Sequence, residues 1–140
     1  MRALDLDCRP TTYGITQIGI ETTECYGKCP VYTFIVNSDG TFHYHGDKYT
    51  KRRGDWHGTV APGRLDAILL YLSEMGYFEL ADVYTNHLSD GPGTFSMVKT
   101  RRGKKVIYDY DDSGPGKLRA LESLIDDLQT GAKWKRGRAD

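Results

Sequence analysis

No stretch of the chain approaches the run of about 18 apolar residues that a membrane-spanning helix needs, so no such helix is expected. Met1 to Pro10 alternates charged and apolar residues and has no apolar signal-peptide core, which favours a cytoplasmic location. Net charge is also missing. The 19 basic and 19 acidic residues cancel, leaving no overall field to draw the chain to nucleic acid or a membrane. There is no Gly-rich phosphate loop, no Gly-x-Ser-x-Gly and no His-Glu-x-x-His, which removes the commonest nucleotide, esterase and zinc-protease signatures. Internal repeats and linkers are absent. Cysteine is scarce and odd in number: of the three, at least one, expected to be Cys8, is unpaired within the monomer. A cytosolic setting keeps all three reduced.

What is present is an ordinary globular composition, 39% hydrophobic and 27% charged, in 140 residues, which is enough for one core. Sixteen glycines and ten tyrosines, with few alanines, tilt the chain toward strands and turns. The reading is a lead-in over residues 1–12, a single domain over 13–131 and a basic tail over 132–140.

Ile18, Ile20 and Thr22 alternate with Gln17, Gly19 and Glu21, the period of a half-buried strand over 15–23. Two β-rich runs, 31–36 and 41–45, flank Asn37-Ser38-Asp39-Gly40 and predict a hairpin, with Gly40 supplying a positive φ. Residues 46–61 are polar and read mostly as loop, with room for one more short strand. Pro62 opens a helix with Leu65, Ile68, Leu69 and Leu72 on one stripe, stopped by Gly76. In the connector 77–93, Tyr77, Phe78 and Leu80 are expected against the core. Runs 94–100 and 105–110 form a second hairpin around residues 101–104. A second helix follows Ser113-Gly114-Pro115, with Leu118, Leu121, Leu124, Ile125 and Leu128 as its apolar stripe. The basic tail is expected to fray. The order β-β-β-α-β-β-α gives an α+β fold: a mainly antiparallel sheet with two amphipathic helices packed on one face.

The most distinctive feature is the loop Cys25-Tyr26-Gly27-Lys28-Cys29-Pro30. Gly27 permits a bend that brings the two cysteines together, and Pro30 stiffens the exit. Three roles stay open: a disulfide, soft-metal ligation through thiolates, or packing as small apolar residues. Thioredoxin-style chemistry is disfavoured, because it needs a cysteine at a helix N-terminus and Pro30 leads into a strand. The spacing with its trailing proline is similar to the copper site of the Sco copper chaperones, although no helix follows it here.

Cys25-x-Gly27-x-Cys29-Pro30-x-Tyr32, followed by Asp39-Gly40, Tyr44 and Gly46, resembles a bacterial family catalogued as a domain of unknown function. That family carries a Cys-x-Gly-x-Cys-Pro-x-Tyr signature and then a Gly-x-x-x-Tyr-x-Gly hairpin. The likeness extends through His57 and Asp90 over roughly residues 15–128. It implies no activity, and it implies that export is open to members of the family.

His43 and His45 share one face of the second strand of the first hairpin and, with Cys25 and Cys29, make a Cys2His2 set of zinc or copper ligands. The competing reading is an exposed polar face opposite Phe42 and Tyr44, and it is preferred. His57 and His87 are single loop histidines, and Asp90 belongs to a Gly-Pro-Gly turn. Asp109, Asp111 and Asp112 form an acidic run that could bind calcium but lacks the Gly-centred loop of an EF-hand, so a solvated turn is preferred. Basic residues cluster at 51–53, 101–105 and 133–138; on one face, with Trp134 stacking, they would make a nucleic-acid patch.

The function expected is therefore a non-enzymatic binding or accessory module for a protein or small-molecule partner. It is organised around Cys25, Gly27, Cys29 and Pro30, with Tyr26, Tyr32, His57 and Asp90 near them. No cofactor is expected. The alternative is thiol redox or copper or zinc handling through Cys25 and Cys29, with nucleic-acid binding third.

Overall fold

The computed structural model describes residues 14–85 and 91–139. The lead-in, Cys8, His87 and Asp90 lie outside the described residues. The strands are β1 (Ile15–Thr22), β2 (Val31–Asn37), β3 (Thr41–Lys48), β4 (Gly54–Thr59), β5 (Val83–Tyr84), β6 (Gly93–Thr100), β7 (Gly103–Tyr110) and β8 (Lys133–Arg136). Helix α1 (Pro62–Met75) follows β4, and α2 (Gly116–Asp127) joins β7 to β8. All described strands belong to one sheet, in the order β5-β7-β6-β1-β2-β3-β4-β8. Every pair is antiparallel except β5 with β7.

The hairpins form where turn chemistry allows. Gly40 has φ 93° and its amide donates to Asn37 O, closing the β2–β3 turn. Arg101 and Arg102 link β6 to β7. The registers pair alternate residues across the sheet, so Ile18, Val36, Phe42 and Val98 share one face. That face is covered: it forms one buried core with Leu65, Ile68, Leu69 and Leu72 of α1 and Leu118, Leu121 and Ile125 of α2. The helices meet each other over it, with Tyr71 Oη donating to Lys117 O. The α+β class and the two helices on one face agree with the sequence reading.

The element order differs in three places. Residues 54–59, in a stretch expected mostly as loop, are β4. Its residues do not alternate apolar with polar, and what holds them extended is the ladder with β3 on one side and β8 on the other. Residues 133–136, expected to fray, are β8, secured by Trp134, whose ring packs edge-on against Phe42 and Tyr44 at 4.8 and 5.2 Å between centroids. A two-residue strand, β5, breaks the connector. In that connector Tyr77 is buried and Leu80 is partly so, but Phe78 is exposed.

Candidate functional site

The loop between β1 and β2 is closed by a disulfide between Cys25 and Cys29, with Cα atoms 5.7 Å apart. Inside it the Gly27 amide donates to Cys25 O, and Gly27 has φ 152°. Beside it, Thr22 Oγ1 donates to Pro30 O and accepts from the Tyr32 amide. The loop therefore leaves the sheet from a fixed base. Tyr26, at its tip, is 93% exposed.

The other residues expected around this loop disperse. Tyr32 lies on the helix-covered face, stacked on Tyr44 at 5.6 Å, and its hydroxyl donates to Asp126 of α2. Burial, then that hydrogen bond, pushes its pKa up. His57 sits on the opposite face, away from both helices, directly across from His43. The expected surface of Tyr26, Tyr32 and His57 is therefore not one surface. Two adjacent residues of a strand point to opposite sides, and the odd and even positions of β2 carry that rule across to β4.

The Cys2His2 set does not assemble in this state either. Both sulfurs are in the disulfide. His43 Nε2 and His45 Nδ1 both approach Asp55 Oδ1, at 3.2 and 3.0 Å, while Arg138 Nε donates to Asp55 Oδ2. The hydrogen bond from His45, with Arg138 and His43 behind it, holds the Asp55 carboxyl below its usual range. His57 Nδ1 lies 2.7 Å from Gly137 O. These histidines thus fasten β3 and β4 to the C-terminal segment.

The basic clusters divide: 51–53 and 133–138 meet, with the guanidinium carbons of Arg52 and Arg136 at 5.7 and 4.7 Å from the Trp56 ring centroid, and 101–105 stand apart from both. The β6–β7 turn carries residues 101–105 at one end of the sheet, and the β3–β4 turn carries 51–53 at the other. Trp134 is engaged beneath Arg52, whose guanidinium carbon lies 3.8 Å from the ring centroid.

What the structure does bring together is a group of carboxylates. Asp109 of β7, Asp112 of the following turn and Glu122 of α2 each offer an oxygen within 4.8 Å of the others'. Asp109 is 1% exposed and Glu122 8%, whereas Asp112 is exposed. The expected solvated turn is thus half wrong: Asp109 faces the core because β7 alternates, with Ile107 on the same side. The Gly114 amide donates to Asp109 Oδ1 at 2.7 Å. Asp111 and Asp112 hold φ values of 49° and 55°, a left-handed conformation that aspartate tolerates better than most residues. Burial, then a hydrogen bond donated by the protonated form to Asp109 and the charges of Asp109 and Asp112, push the Glu122 carboxyl up to about 9.

Glu122 is polar and so falls outside the apolar stripe that marks α2 in the sequence. The signal was there: 118, 121, 122 and 125 fall at i, i+3, i+4 and i+7, the spacing of a buried helix face, with a glutamate in one slot. Leu124, assigned to that face, is exposed instead.

The carboxylate group and the disulfide loop stand at the same end of the sheet. Between them runs the segment 91–93: the Thr23 amide donates to Gly93 O, and the Asp111 amide donates to Pro92 O. Gly91 lies so close to the Asp111 carboxylate that a Cβ there would sit 1.9 Å from Oδ1. No match to the chain is found among curated proteins. Residues 16–129 match the family model described as a domain of unknown function (DUF6438), and the chain belongs to that family.

Proposed function

We propose that the domain is a non-enzymatic binding module that meets a protein partner through the disulfide-closed loop between β1 and β2. The observation that carries this reading is Tyr26, 93% exposed on a loop whose ends are covalently joined. A large aromatic side chain on an already ordered loop loses little freedom on docking, so more of its contact area appears as affinity. The bond also withdraws both thiolates from metal ligation and from nucleophilic attack. Pro30 leads directly into β2, so no helix N-terminus is present to activate a thiol. A closed disulfide suits an oxidising compartment, which favours export over the cytoplasm. The second reading, thiol redox, draws on the same bond, because it lies in an exposed loop.

The test places a photo-crosslinking residue at position 26 of the oxidised protein, and another at position 104 at the far end of the sheet. Discrete adducts are expected at 26 and not at 104, and they should weaken when Cys25 and Cys29 are both replaced by Ser. That double variant is expected to stay folded and to lose about 2 kcal/mol in urea denaturation, since the ring it opens is short. A disulfide-exchange turnover on insulin, abolished in the still-folded double variant, would replace the binding reading with the redox one.

A further inference from the structure

Two buried carboxylates facing each other across β7 and α2 are the most costly arrangement among the described residues. Asp109 Oδ2 and Glu122 Oε2 are both shut off from solvent, and when both groups are ionised neither oxygen has a hydrogen-bond donor. A buried ionised carboxylate that lacks a compensating group is strongly disfavoured, and two of them side by side are worse. A third carboxylate, Asp112, points its charge into the same place from the exposed turn. The neighbouring cation acting on Glu122 is Arg119, one turn earlier on α2, and it only partly offsets three acids.

We propose that Asp109, Asp112 and Glu122 form a binding site for a hard divalent cation, calcium or magnesium. The donor set is all oxygen, which suits these ions and disfavours copper and zinc, whose protein sites draw on nitrogen and sulfur. The geometry fits. Two oxygens on one calcium ion stand no more than roughly 5 Å apart when each bond is about 2.3–2.6 Å, and the three oxygens lie within 4.8 Å of one another. The buried oxygens aim at the site from a strand and a helix, and the exposed Asp112 leaves a route from solvent. The Gly114 amide, already bonded to Asp109 Oδ1, holds that carboxylate so that Oδ2 is the oxygen presented. A bound ion would tie the turn 111–115 and the first part of α2 to the end of β7. This proposal is independent of the loop reading above, since it involves neither cysteine nor Tyr26.

The experiment uses the full chain stripped with chelator, titrated with CaCl2, MgCl2 and ZnCl2 by calorimetry and by thermal unfolding. Calcium or magnesium is expected to bind and to raise Tm, because a ligand that binds only the folded state stabilises it. Asp112→Asn, at an exposed position, and Glu122→Gln, a near-isosteric neutral replacement, are expected to weaken binding at least about tenfold while remaining folded. Glu74→Gln, an exposed acid on α1, is expected to bind as the parent does. The proposal is overturned if neither calcium nor magnesium binds at millimolar concentration, or if zinc is preferred. It is also overturned if Asp112→Asn and Glu122→Gln bind as tightly as the parent, which would leave a shared proton as what relieves the carboxylate pair.

Discussion

Single positions in this fold differ sharply in what they tolerate, and glycines give the clearest contrast. A Cβ at Gly58 would lie 1.7 Å from Lys133 O and 3.0 Å from Phe42 Cε2. Gly58 is what lets β8 run against β4 with Trp134 beside it. At Gly63, in the first turn of α1, a Cβ meets nothing within 4 Å. Gly58→Ala is therefore expected to cost about 1–3 kcal/mol by forcing the strands apart. Gly63→Ala should gain about 0.5 kcal/mol from backbone entropy. Urea denaturation of the two variants checks both signs. A neutral Gly58→Ala would mean that β8 is not held against β4. The sequence contains both glycines, but nothing local to either distinguishes them. The difference lies in a carbonyl 75 positions away in the chain.

At the scale of elements, helices and hairpins were legible because their stabilising pattern is local. α1 needs only the spacing of Leu65, Ile68, Leu69 and Leu72, and a stop at Gly76, whose φ of 74° confirms the role assigned to it. The strands β4 and β8 were not legible, because each depends on the other. Neither has an apolar alternation, and an edge strand of four residues is not stable alone. Trp134 is what anchors β8: its Nε1 donates to Gln129 O, and its ring meets Phe42, Tyr44 and Trp56. Trp134→Ala is expected to cost about 2–3 kcal/mol through lost aromatic packing. It should also raise amide hydrogen exchange along β4, whose outer edge it uncovers. Unchanged exchange in β4 would show that the ladder holds β8 without the indole.

At the scale of the whole molecule, the sheet is covered by both helices on one side only. The buried core therefore lies under β1, β2 and β6, in the middle of the strand order, and thins toward β5 and β8 at the edges. Opening free energy follows buried apolar contact. Hydrogen exchange is accordingly expected to be slowest in β1, β2 and β6 and fastest in β5 and β8. Protection in β8 equal to that in β1 would contradict this gradient. The same topology sets the two candidate sites at one end, because the loops after β1, before β6 and after β7 all emerge there.

The sequence by itself determined the α+β class, the two hairpins, both helices, and a bent loop at Cys25–Pro30 ahead of a strand. Each rests on turn chemistry or periodicity within about 15 residues, where chain entropy leaves few alternatives. Tertiary structure alone decided that Cys25 and Cys29 are joined, that Tyr32 and His57 face opposite sides, and that β4 and β8 exist. It also decided that Asp109 meets Glu122. Those outcomes depend on which strands become neighbours and in what register, and a register is fixed by long-range burial. No window of this sequence contains that information.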